Sequence, residues 1–268
     1  MTRRAAALVL TLSMVCASCA PPLLKLPPGP GALAPDGRLA IDDATAACRR
    51  VSTITLEIGV SGSIGGRRTR GRLSAGLARP DSARIEAVAP FGQPVFIFVA
   101  ARDEATLLLP RDSRVLEHGR PEAVLEAVAG VPLDAPALLA VITGCAMAPD
   151  AASTRALGET WRVATDGSDE VYFSREGSSM PWRLVATVRR APGAGWRAEY
   201  RNFQNGLPQS IRLISAVAGQ FDLQLALSQV DVNMPLSADV FRVQIPASAR
   251  PITLEDLKQS GPLGTNGR

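Results

Sequence analysis

A single histidine, His118, occurs in 268 residues, so no site that needs two imidazoles can be built. HExxH metallopeptidases and most zinc enzymes are excluded on that ground, and no other metal-ligand spacing is present. Lysine is nearly absent, with only Lys25 and Lys258 among 29 basic residues, a trait of codon composition. No apolar run is long enough to span a bilayer. The net charge of +4 is modest, and Arg3 and Arg4 supply two of those charges; a dedicated nucleic-acid binder carries a stronger bias. No nucleophile, base and orienting group come together in the sequence, so an enzyme is the least favoured class, and no cofactor is implied. What is present, 46% hydrophobic and 20% charged residues, is ordinary globular composition with enough chain for a sizeable core.

The N-terminus reads as an address. Residues 1–4 are basic, residues 5–15 are apolar, and Cys16-Ala17-Ser18-Cys19 follows. That is a bacterial export signal, too short for a spanning helix. Small residues directly before Cys19 form a lipobox, which makes Cys19 the acylated new N-terminus; Cys16 stands where leucine is usual. The alternative is an ordinary signal peptide with a coincidental cysteine. Residues 1–18 are thus expected to be removed, and residues 19–38, with six prolines, to form the anchor and an extended, semi-rigid tether. Cleavage and acylation leave Cys48 and Cys145, which in an oxidising compartment either pair or stay as two separately buried thiols.

Residues 39–250 contain no linker and no repeat, which predicts one domain. A helix opens it, with Asp42 or Asp43 as cap and Arg49 and Arg50 near its end. Alternating character then predicts strands over 53–61, 70–78, 83–89, 95–100 and 105–109. The period changes at 121–129, where Pro121 starts a helix and Gly130 stops it, and again at 135–143, which ends at Gly144. Strands resume over 160–165, 170–174, 182–190, 195–203, 209–215, 221–232 and 241–245. The expected fold is α+β, mainly β: one strongly curved antiparallel sheet whose concave side is covered by helices.

Other features have plainer readings. Gly62-Ser63-Ile64-Gly65-Gly66 lacks the GK[ST] ending of a phosphate loop and reads as a hairpin turn. Arg67, Arg68, Arg70 and Arg72 form a basic cluster, either a solvated strand edge or a contact for anionic head groups or an acidic partner. His118 falls in a turn context. The pairs Asp42-Asp43, Asp103-Glu104 and Asp169-Glu170 suit caps and turns. Trp161, Trp182 and Trp196 lie in predicted strands. Residues 253–257 suggest a helical turn within a C-terminal tail, 251–268, that is otherwise partly disordered.

From about residue 50 to 245 the sequence resembles the LolA/LolB superfamily of lipoprotein carriers and outer-membrane receptors. The resemblance is carried by Arg70-Gly71-Arg72-Leu73, Pro80, Arg84-Ile85-Glu86-Ala87 and Pro90-Phe91-Gly92, then Gly130-Val131-Pro132-Leu133, Leu138-Leu139 and Thr143-Gly144. Trp196-Arg197-Ala198-Glu199-Tyr200 and Leu207-Pro208-Gln209-Ser210-Ile211 continue it. It implies a half-open barrel of about eleven strands with a helical lid, whose cavity holds acyl chains of lipoproteins or lipids. Residues 121–143 would be the lid, Leu73, Ile85, Phe96, Phe98, Leu138 and Leu139 the cavity lining, and Phe91 a membrane-insertion loop. With Cys19 as anchor, the resemblance implies a monomeric, outer-membrane lipoprotein facing the periplasm, served by a soluble LolA-like carrier. Two other roles remain open: a lipid- or peptide-sensing regulatory lipoprotein, and a structural envelope lipoprotein without ligand.

Overall fold

The computed structural model describes residues 22–88 and 93–260. The signal segment, Cys19, Phe91 and residues 261–268 lie outside the described residues. In chain order the elements are β1 (Ala32–Leu33), α1 (Gly37–Thr45), β2 (Thr53–Ile64), β3 (Arg67–Ala78), β4 (Ser82–Val88), β5 (Ile97–Ala101), β6 (Glu104–Leu109) and β7 (Arg114–Gly119). The lid helices α2 (Pro121–Ala129) and α3 (Ala135–Thr143) follow. The second half comprises β8 (Arg155–Ala156), β9 (Trp161–Asp166), β10 (Asp169–Ser174), β11 (Arg183–Arg189), β12 (Trp196–Gln204), β13 (Leu207–Ser215) and β14 (Phe221–Val232). A last strand, β15 (Arg250–Pro251), and α4 (Leu254–Ser260) complete it.

All strands join one curved, unclosed sheet in the order β1-β8-β9-β10-β11-β12-β13-β14-β2-β3-β4-β5-β6-β7-β15. Only β15 pairs in parallel, with β7. The expected count of eleven strands is therefore corrected to fifteen. Three of the additions are two-residue strands at or beside the sheet edges, too short for any alternation to register. Their brevity also blunts both edges against further pairing. β7 is the fourth: His118, with φ of 56°, sits at a register shift against β6, so a bulged strand looks locally like a turn. The strand expected over 241–245 does not form. A 3-10 turn, Ala238–Phe241, reaches only its first residue, residues 242–245 take no regular structure, and the Val240 and Arg242 carbonyls accept from Arg84.

The long central strands follow from alternation. In β2, Ile54, Leu56 and Ile58 point inward and are buried while Thr53, Thr55 and Glu57 point outward. The β2–β3 hairpin pairs from Thr53↔Ala78 to Ile64↔Arg67 and turns on Gly65 and Gly66, both at positive φ. That conformation suits the primed turns that match strand twist. Gly62, at φ +140°, lets β14 approach closely: a Cβ there would lie 2.0 Å from the Asp222 carbonyl oxygen.

The two lid helices span the expected residues. Pro121 starts α2 and Gly130 ends it in the left-handed conformation. Asp134 caps α3 by accepting from the Ala137 N–H at 2.8 Å, and Gly144 ends it. The first helix differs from expectation. α1 begins at Gly37, so Asp42 and Asp43 lie inside it; the residue before it, Asp36, makes no cap bond, its carboxylate being paired with Arg162 at 2.7 and 2.9 Å.

Both ends of the described chain pack on the domain. Residues 22–28, within the expected extended tether, lie along the outer face of the sheet. Leu24 and Leu26 pack there against a small apolar cluster of Val163, Tyr172 and Ala186. The buried carboxylate of Glu199 accepts from the Leu24 N–H at 3.0 Å, Arg197 donates to the Leu24 carbonyl, and Arg201 donates to the Pro22 carbonyl at 2.7 Å. At the other end, Thr253 and Asp256 cap α4 reciprocally, and Leu257 is buried in the main core on the α2 side.

Candidate functional site

Inward-facing side chains of the central strands meet the lid helices around a half-open cavity of about 680 Å³. Its floor is Ile58, Val60 and Ile64 of β2, Leu213 of β13, and Leu223 and Leu225 of β14. Its roof is Leu125, Val128 and Ala129 of α2, with Leu138, Val141 and Ile142 of α3. Val131 and Leu133 of the inter-helix loop close the top, and Leu73, Ile85, Ala87, Val95 and Phe96 form the wall. A volume of this order is typical of small-molecule sites (about 300–1,000 Å³), and its apolar lining favours hydrocarbon.

Local sequence explains the roof. Leu138, Val141 and Ile142 stand at i, i+3 and i+4, which makes one helix face, and Pro136 and Gly144 limit α3 to the length that covers the cavity. Gly130 ends α2 against the hairpin tip: a Cβ there would stand 2.8 Å from Ile64 Cγ2. A disulfide between Cys48 and Cys145 ties the chain just after α3 to the 3-10 turn that precedes β2. Behind α3, burial pushes the Tyr200 phenol up, so the hydroxyl stays protonated and donates to Thr187 Oγ1 at 3.4 Å.

Of the six residues expected to line the cavity, Leu73, Ile85, Phe96 and Leu138 border it. Phe98 and Leu139 do not. Phe98 stands one strand beyond Ile85, paired with it, and is 1% exposed in the packed core. Leu139 is turned roughly 100° from Leu138 around α3 and is likewise buried in the core. Sequence reasoning missed the whole floor, from β2, β13 and β14, the α2 side of the roof and the Val131–Leu133 closure, because no local pattern shows which strands end up beneath a distant helix.

The mouth has a different chemistry. Pairing of β4 with β3 ends at Arg72↔Val88, and Thr69, Arg70, Gly71 and Arg72 border the cavity where β3 runs on. Across the mouth, Arg111 follows β6; its Nε donates to the Gln93 carbonyl at 3.3 Å. These three arginines are exposed. Among the described residues no cluster of three or more metal-ligating side chains occurs, and no helix is long and apolar enough to cross a membrane.

No protein-family model matches the sequence, and no curated protein matches it. Solved structures do. A LolA superfamily protein from Nitrosomonas europaea superposes with a TM-score of 0.55 at 10% identity, covering 77% of this chain and 97% of that one. A DUF1329 family protein from Desulfovibrio piger gives a TM-score of 0.53 at 10% identity, covering 79% and 98% respectively. At such identity the likeness speaks of architecture alone: this chain has the fold of the LolA superfamily.

Proposed function

We propose that this chain is a non-enzymatic, acyl-chain-binding protein of the bacterial envelope, anchored through Cys19, that accepts or carries lipoproteins or other acylated molecules. The observation that supports it most is the half-open apolar cavity between the central strands and the paired helices. An acyl chain of roughly a dozen methylenes gains on the order of 10 kcal/mol on leaving water, at ~0.8 kcal/mol each. A sealed cavity would retain such a chain. A half-open one exchanges it with a bilayer, where the chain is equally well buried, so transfer needs neither ATP nor covalent chemistry. The likeness to a LolA superfamily protein supports the carrier reading, and the lipobox supports an anchored, outer-membrane acceptor over a soluble shuttle. In that reading Phe91 is the residue that enters the bilayer interface.

The test is native mass spectrometry with lipid extraction of the chain purified from the periplasm without its acyl anchor. The expected result is co-purified acylated species. Leu138→Arg, which puts a charge in the roof at a half-buried position, is expected to remove most of them while the thermal transition moves by only a few degrees. Leu225→Trp, which fills the floor, should act likewise. A protein that is empty and takes up no acylated peptide overturns the proposal. Depletion separates an acceptor, whose loss mislocalises lipoproteins, from a sensor, whose loss alters a stress response while lipoproteins still arrive.

A further inference from the structure

The cavity is apolar within and cationic at its lip, and that contrast constrains what fits. On β3 the inward positions at Thr69, Gly71 and Leu73 continue the apolar wall, while Arg70 and Arg72 occupy the outward positions at the mouth. Arg111, which follows β6 three strands along the sheet, borders the same cavity. Arg67 and Arg68 extend the positive charge toward the hairpin tip, and among the described residues neither they nor Arg70 have an ion-pair or hydrogen-bond partner. The carboxylates at hand are few: Glu57 stands 3.7 Å from Arg72, and Asp112 follows Arg111 in sequence. Guanidinium groups on flexible apolar stems suit a lip of this kind, since the stems lie along hydrocarbon while the heads bind phosphate or carboxylate oxygens through paired N–H donors.

We infer that the acylated ligand of this cavity carries an anionic group, phosphate or carboxylate, beside its chains, and that Arg70, Arg72 and Arg111 hold that group at the mouth. The inference rests on the acyl-binding reading above and adds a choice of head group to it. A ligand with hydrocarbon alone would leave the arginines unused. An inorganic anion alone would leave the cavity unfilled.

The test uses the full chain carrying Cys19→Ser, delipidated and incubated with vesicles of phosphatidylglycerol, phosphatidylcholine and diacylglycerol of identical chains. Lipid bound to the protein is identified by native mass spectrometry after the vesicles are removed. Phosphatidylglycerol is expected to exceed phosphatidylcholine by roughly tenfold, the preference that a few solvent-exposed ion pairs supply, and to lose that lead at high salt. The exposed triple variant Arg70→Gln, Arg72→Gln, Arg111→Gln should lose the preference while diacylglycerol uptake stays as in the parent, which shows the cavity intact. Equal binding of the two phospholipids, or a preference that survives the triple variant, overturns the inference. So does full competition by inorganic phosphate at matched ionic strength, which would make the arginines a site for the free anion. Co-sedimentation with phosphatidylglycerol vesicles but no lipid retained by the protein would make them a bilayer-docking patch, again against the inference. Failure to bind any of the three lipids, diacylglycerol included, is the separate result that removes the acyl-binding reading itself.

Discussion

At the scale of single residues, Asp36 with Arg162 is a charged contact that joins the chain's first described segment to the second half of the sheet. Arg162, 9% exposed, gives Nε and Nη2 to the two carboxylate oxygens at 2.7 and 2.9 Å and lies over the Trp182 ring at 4.6 Å, with Arg175 over the same ring at 4.3 Å. The hydrogen bonds from Arg162 hold the Asp36 carboxyl below the usual carboxylate range. A carboxyl depressed in the folded state contributes stability above its unfolded pKa of ~3.9, and that contribution is lost as pH falls through the lower folded value. Asp36→Asn is therefore expected to cost about 2 kcal/mol near pH 7, where hydrogen bonds to a charged group are broken. The difference from the parent should begin to shrink as pH falls below about 4, where the carboxyl of the unfolded chain protonates, and vanish once pH passes the lower folded value. Urea titrations of both proteins at the two pH values check this; a difference independent of pH would show that charge is not what the pair contributes. Nothing near Asp36 in the sequence announces Arg162, which lies 126 residues away.

At the scale of elements, legibility follows how local the determinants are. α2 and α3 are readable residue for residue because a proline sits in the first turn of each and a left-handed glycine closes it, all within ten residues. β1, β8 and β15 were not, since a two-residue strand exists only by virtue of its partner. In the cavity, Leu73 and Ile85 could be placed by strand parity, whereas choosing Leu138 over Leu139 requires knowing how α3 is rotated over the sheet. The N-terminal strap is the extreme case: prolines in residues 21–35 declare an extended chain but not the face it lies on. The structure places Leu24 and Leu26 on an apolar cluster and the Leu24 amide on Glu199, which is 1% exposed. Lys25 lies between those two leucines, and the chain's other lysine, Lys258, is in α4. A lysine-specific protease therefore reports on the strap almost alone. Leu24→Asp with Leu26→Asp, or Glu199→Ala, is expected to raise the rate of cleavage after Lys25 by about tenfold or more, since cleavage tracks the population of the open form and tenfold corresponds to about 1.4 kcal/mol. Unchanged cleavage would mean that the strap's contacts do not hold it.

At the scale of the whole molecule, an unclosed sheet is an unusual way to keep a cavity, because nothing but the lid and the sheet's own curvature resists its collapse or flattening. The floor strands β2, β13 and β14 come from both ends of the chain, and the roof lies between them in sequence, so the cavity depends on long-range docking throughout. The Cys48–Cys145 bond acts on that docking directly. It spans 97 residues, and the loop it closes holds β2 to β7 with both lid helices, that is, the wall, the roof and half of the floor. In the chain-entropy account, a loop of about 100 residues contributes up to about 4.7 kcal/mol by restricting the unfolded chain. The double variant Cys48→Ala, Cys145→Ala is expected to lower the denaturation midpoint accordingly, and a reductant should shift the parent toward the variant without moving the variant itself. The bond also fixes the end of α3 to the start of β2, so in the variant the roof is held at that end by packing alone. Retention of an acyl chain during vesicle exchange should then shorten more than that of an oxidised parent brought to equal overall stability with urea. Equal retention at equal stability would assign the disulfide to folding alone, and would leave the hold on the ligand to the apolar walls and to the arginines at the mouth.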